Sequence, residues 1–321
     1  MLTASLLLAA LAIALAWPVP VVLARAQWTS TAPATALLLW QAIALAGGLS
    51  MIGSLLTFGL IPFGDNLVSA ALNLATSVFE RSTVPSADII HLVALCGALL
   101  LGVHLVLNLI LTAIVTHQQR RRHRQLVELL SSPLPDQPNT RLIDHNVPVA
   151  YCLPGTHHSV TVFSAGLVRL LNPNELRAVI EHEKAHLTQR HYVVLMAFDA
   201  WRTSLPWFPI ATRAQRQVGM LVEMLADDQA RRHVEDRTLA TAIALVSAGA
   251  APESAAADLS PLAGPSVSAA QLNARVQRLL GGHAPLPLAG RVGVVAGAIA
   301  LVAVPTVLLL SPALATVAAL G

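Results

Sequence analysis

Four long apolar runs set the terms on which this chain can fold. They cover roughly residues 2–24, 35–61, 89–116 and 291–314. About 20 mainly apolar residues suffice for a helix to cross the hydrocarbon of a bilayer, and each run reaches that length. Charged residues avoid these runs. Of the 20 basic residues 17 lie between positions 117 and 290, as do 14 of the 17 acidic ones. The chain of 321 residues therefore meets two solvents, lipid at its ends and water in its middle. Its charged fraction of 12%, about half that of a soluble domain, follows from that division. The expected fold is a mainly α membrane protein with four transmembrane helices and a cytoplasmic α+β domain carrying a small β-sheet. Residues 1–116 form the membrane domain, 117–290 the cytoplasmic domain, and 291–321 the fourth span with a short external tail.

Several details refine this reading. Pro18 and Pro20 should kink or fray the end of the first run. In the third run, His91, His104 and Asn108 should face other helices rather than lipid. The segment "GVVAG" (293–297) has the small-xxx-small spacing of a helix contact. The apolar stretch 66–79 is too short to span and reads as an interfacial or extracellular helix. A signal peptide is the competing reading of the first run, with "ARA" (24–26) as its cleavage site. No positive charge precedes the apolar core, however, and the core is too long. Cys96 falls in an apolar run and Cys152 in the charged region, which argues against a disulfide and for a reducing compartment around residue 152.

Arginine sets the orientation. "HQQRRRHR" (117–124) directly follows the third run, so that end is expected in the cytoplasm. Arg25 and Arg291 then also fall inside. The loop 62–88 carries Asp65, Glu80 and Asp88 against Arg81 and suits the outside. The expected product is a multi-pass protein of the plasma membrane with both termini outside. A basic cluster beside a span reads as a topology anchor and not as a direct nucleic-acid contact.

Within the central region, "QRRRHRQLVELLSS" reads as a helix leaving the membrane, broken by "SPLPDQPN" (132–139). "VPVAYCLPG" and "HSVTVFSAG" read as two strands around a turn at 154–157. Asn172, Pro173 and Glu175 make a strong helix start, and that helix should run to about His191. Further helices are expected over about 193–203, 213–234 and 269–280. "SLPWFP" (204–209) ends the helix before it, with Trp207 and Phe208 expected in the core and the membrane surface as the alternative, and residues 248–268 read as a flexible linker.

The capped helix carries the chemistry. His182 and His186 are four residues apart, so both imidazoles project from one face and can reach one ion. Catalytic zinc takes three protein ligands and leaves one position for water. Glu183, next to the first histidine, suits a general base. A third ligand follows in "EMLAD": Glu223 for the metal, with Asp227 one turn on to hydrogen-bond a ligand histidine, His182 in preference to His186, and fix its tautomer. Asp228 should face solvent. His191, Tyr192 and His233 are candidates for oxyanion or substrate contacts, with no choice among them, although each residue type is more often structural. The chemistry is metal-assisted hydrolysis with one Zn2+ per chain. If the zinc were purely structural, as in a non-catalytic signalling scaffold, another side chain such as His191 or Asp228 would fill the fourth position.

The stretches "SAGLVRLLNPNELRAVIEHEKAHLTQRH", "EMLAD" and "RVQRLL" resemble the BlaR/MecR-type membrane metallopeptidases, and the strand-then-zinc-helix order resembles the HtpX-type proteases. Both families share a gluzincin core. The chain is most similar to short, sensorless BlaR-like members. The resemblance implies His182, His186 and Glu223 as ligands and Glu183 as the catalytic residue. It also implies signal transduction: an external signal, and a cytoplasmic protein substrate that is a DNA-binding repressor of the BlaI type. HtpX-like quality control of membrane proteins is the alternative. Lys184 is the only lysine and Glu181 stands three residues before it, so these residues hold no Ser-x-x-Lys acylation site and no P-loop. Beyond substrate and bilayer, a homodimer stays open.

Overall fold

A computed structural model describes residues 1–80, 88–134, 137–153, 160–206, 209–249, 269–281 and 286–320. The first apolar run forms α1 (Leu2–Ala16) and α2 (Pro18–Arg25), interrupted at Trp17 with φ −130° and ψ −72°. Pro18 is the cause: it offers no N–H and disfavours the helical region for the residue before it. A single turn, α3 (Trp28–Thr31), leads to α4 (Pro33–Gly59), which has proline in its first turn. Leu8, Leu15 and Leu23 are buried, and α1 packs along α4, so this run is an integral helix of the bundle. The stretch at 66–79 forms α5 (Leu67–Phe79), capped by Asn66 Oδ1, which accepts from the Ser69 N–H at 2.8 Å. Next, α6 (Ile89–Leu130) runs 42 residues from the apolar run through the arginine cluster without interruption.

"SPLPDQPN" ends α6 as expected, but it also forms strands. β1 (Ser131–Leu134) and β2 (Gln137–Ile143) pair antiparallel, with a register shift between Pro133 and Leu134. β3 (Ala150–Leu153) and β4 (Val160–Ser164) form the expected antiparallel pair, and the turn expected between them lies outside the described residues. β2 and β4 run parallel from Thr140 and Thr161 onward, giving a mixed sheet in the order β1-β2-β4-β3. The prolines are tolerated because β1 is an edge strand and Pro138 precedes the β2–β4 ladder.

Ser164 caps α7 (Ala165–Leu170) by accepting from the Leu167 N–H. α8 (Pro173–Thr188) opens with a full capping box: Asn172 Oδ1 accepts from the Asn174 and Glu175 amides, and Glu175 Oε2 accepts from the Asn172 N–H. It ends three residues before the expected His191, because the chain turns through a left-handed Arg190 (φ 50°) and starts α9 (His191–Ser204). α10 (Pro209–Ala230) begins and ends about a turn earlier than expected. α11 (Asp236–Gly249) was not anticipated, and it supplies the apolar partner for Ala178 and Val179 of α8. α12 (Ala269–Leu280) matches its expected range, and α13 (Leu288–Leu320) contains the fourth run. Trp207, Phe208 and most of the linker lie outside the described residues.

Among the described residues, four helical stretches are long and apolar enough to cross a membrane: Leu2–Arg25, Pro33–Gly59, Ile89–Leu130 and Leu288–Leu310. Among the described residues nothing stands within 4 Å of a β-carbon built at Gly293 or Gly297, so the contact expected at "GVVAG" is not made with any of them. Close approach occurs at Gly59 instead, where a β-carbon would stand 2.9 Å from the His91 carbonyl oxygen.

The hairpin of α9 and α10 is not confined to a separate aqueous body. Phe198, Ala214, Val218, Leu221 and Val222 share one core with Leu23 of α2 and Ala36, Leu37, Trp40 and Ile43 of α4. His104 Nε2 lies 3.0 Å from the Ser204 carbonyl oxygen, and Asn108 Nδ2 donates to the Ala200 carbonyl at 3.1 Å and to Ser204 Oγ. At 1.5 Å per residue, Asn108 stands about 14 Å along α6 from the arginine-rich segment. Two polar side chains of the third run, His104 and Asn108, thus face a helix of the central region, while His91 stacks on Phe58 of α4 with ring centroids 4.9 Å apart.

Candidate metal centre

Three side chains from two helices converge. His182 and His186 sit one turn apart on α8, with their Nε2 atoms 3.2 Å from each other. Glu223, from the following helix pair, brings Oε2 to 3.4 Å from His182 Nε2 and Oε1 to 3.5 Å from His186 Nε2. Tetrahedral ligand atoms held about 2.0–2.1 Å from zinc stand about 3.3 Å apart. The donor set therefore fits one such ion in chemistry and in spacing, and these three residues are a group that can hold a metal.

The surroundings prepare each group. His182 Nδ1 lies 3.0 Å from Asp227 Oδ1. Burial opposes charge on His182, but the Asp227 and Glu223 carboxylates outweigh it and push the ring up to about 10. In the metal-free chain a proton on His182 supplies the positive charge that these acids demand. Burial, with His182 beside it, pushes His186 down to about 3 and leaves it neutral. Glu183 accepts a hydrogen bond from the Cys152 backbone, and burial pushes its carboxyl up to about 7. A base poised near neutrality suits proton transfer.

Sequence reasoning gave no role to Arg275. It lies in "RVQRLL", and its guanidinium donates to both oxygens of Asp227 at 2.8 and 2.7 Å while Nη1 reaches Glu223 Oε2 at 2.9 Å. Burial of Glu223 favours its neutral form, but His182 and Arg275 hold it well below the usual carboxylate range. Asp228 does not stand free in solvent as expected, since Arg278 donates to both its oxygens at 2.7 Å. An arginine one turn from another basic residue, ahead of an apolar run, was the available signal, but its acidic partners Asp227 and Glu223 lie 48 and 52 residues away.

The three candidates for oxyanion or substrate contact are dispersed. Tyr192 lies beneath the Arg120 guanidinium, 4.1 Å from ring centroid to Cζ. His233 is exposed in the turn after α10. His191 is 3% exposed and spends its ring nitrogens on His186 and Gln189, which leaves neither for an oxyanion.

Fold and site together define a chain of membrane-length helices whose central region brings two histidines and a glutamate together as a group that could hold one metal ion. Residues 116–254 match the sequence profile of peptidase family M48, a metallopeptidase family. No curated protein and no solved structure matches the chain. The matched segment contains α8 through α11 and every candidate ligand. Arg275 lies beyond it.

Proposed function

We propose that this protein is a membrane-bound zinc endopeptidase that cleaves a cytoplasmic regulatory protein, a BlaI-type transcriptional repressor, at the inner face of the membrane. The observation that carries the reading is the convergence of His182, His186 and Glu223 beside a half-buried Glu183. The arginines at 120–122 and 124, on the same side as Arg25 and Arg291, support the cytoplasmic orientation through the positive-inside rule.

His182, His186 and Glu223 would hold the zinc, which would supply a water of pKa about 7 and Lewis-acid polarisation of the scissile carbonyl. Glu183 takes the proton from the attacking water and delivers it to the leaving amine. Asp227 and Arg275 hold His182 and Glu223 in place. β3, an edge strand packed against α8, offers main-chain hydrogen bonds to an extended peptide. The chain is thus supplied with a base, a ligand set and a peptide-aligning edge.

The test is Glu183→Ala in the full chain. Zinc content should stay at one per chain while cleavage of the repressor encoded nearest its gene falls by at least about 10²-fold, the scale of general-base catalysis. Unchanged proteolysis refutes the assignment. A second reading, HtpX-like clipping of membrane proteins, is favoured by the packing of α9 and α10 against α4 and α6. Substrate trapping with the same variant separates the two: one repressor-like partner, or many membrane fragments.

A further inference from the structure

Behind His186 stands a histidine with no part in the chemistry described so far. His191 Nδ1 lies 3.0 Å from His186 Nδ1, and the two rings cross at 85° with centroids 4.9 Å apart. On its other side, His191 Nε2 lies 2.8 Å from Gln189 Oε1. In a continuous helix, residues 186 and 191 would point about 140° apart. The left-handed Arg190 breaks α8 and swings His191 back beneath the ligand.

The hydrogen bonds run in one direction. A carbonyl oxygen only accepts, so His191 Nε2 carries the proton that it donates to Gln189. A neutral imidazole then presents a lone pair at Nδ1. Facing that lone pair, His186 Nδ1 is the donor, which leaves His186 Nε2 unprotonated and turned toward His182 and Glu223. His182 has the same arrangement, with Nδ1 toward Asp227 and Nε2 toward the site. Each ligand histidine thus has its own acceptor behind it, a carboxylate for one and an imidazole for the other.

We propose that His191, held by Gln189, is a positioning residue that fixes His186 in the tautomer able to bind the metal. This rests on the metal-centre reading above. It also gives a reason for α8 to stop at Thr188. The neutral acceptor behind His186 adds no further negative charge to a site that already holds Glu223 and Asp227.

The test is zinc affinity of the full-length chain in detergent, measured by competition with a chelator, with no substrate present. Asparagine places a carbonyl oxygen where His191 has Nδ1, so His191→Asn should bind zinc within about threefold of the natural chain. His191→Phe keeps the bulk and loses the acceptor, and should bind about 10–100-fold more weakly, the usual cost of losing such a partner. Gln189→Leu alters an exposed side chain that threatens no core, and should weaken zinc in the same direction with unchanged thermal unfolding of the metal-free chain. The inference is overturned if His191→Phe binds as tightly as the natural chain, if His191→Asn is as weak as His191→Phe, or if Gln189→Leu has no effect. A natural chain that binds no zinc overturns the metal centre itself.

Discussion

The guanidinium of Arg275 closes on the carboxylate of Asp227 through two hydrogen bonds of 2.8 and 2.7 Å, with both side chains buried. This pair joins the helix before the last span to the helix that carries Glu223. Removing one partner strands a buried charge, which costs about 3–5 kcal/mol. Arg275→Met and Asp227→Leu should each lower thermal stability in detergent by that order. The double variant should lose clearly less than the two single losses together, because it leaves no charge unpaired. Additive losses would show that the pair is not coupled.

Asn108 ties α6 to the end of α9, so the hairpin should be shielded from water. In a background of Cys96→Ser and Cys152→Ser, Ser204→Cys should resist a membrane-impermeant maleimide added from either side. Lys184→Cys, at an exposed position, should react from the inner side alone. Asn108→Leu should cost about 1 kcal/mol, the scale of hydrogen bonds between helices in membranes. Rapid labelling at position 204 would place the hairpin in water.

Burial pushes the Cys152 thiol up to about 12, against a weaker opposing hydrogen bond with Thr161. A raised acid stays neutral until the pH approaches that value, and the thiolate is the reactive form. At pH 8 the Cys96→Ser variant should therefore be alkylated roughly a thousandfold more slowly folded than in denaturant. Comparable rates in the two states would mean that Cys152 is open to solvent.

Gly166 passes so close to the loop before β3 that an added β-carbon would stand 1.9 Å from the Asn146 carbonyl oxygen. The two backbones are tied together, since the Gly166 N–H donates to the His145 carbonyl at 2.8 Å. Gly166→Ala should cost about 1–3 kcal/mol, measurable as a lower midpoint of thermal unfolding. Gly219→Ala, where nothing lies within 4 Å, serves as the neutral comparison.

Much of this protein was legible in its residues because the deciding interactions are local. Apolar runs of membrane length, the capping box at Asn172 and the four-residue spacing of His182 and His186 each depend on a few neighbouring positions. Glu223 and Asp227 were readable for the same reason, as a pair one helical turn apart. What needed the tertiary structure depends on contacts between distant segments. Arg275 meets Asp227 across 48 residues, Asn108 meets Ala200 across 92, and prolines that mark a break still pair as an edge strand. His191 lies between the two cases. It is close to His186 in sequence, yet it reaches that ring only because the chain reverses at Arg190, and the packing of α9 against the spans, rather than any helical period, sets where α9 must run.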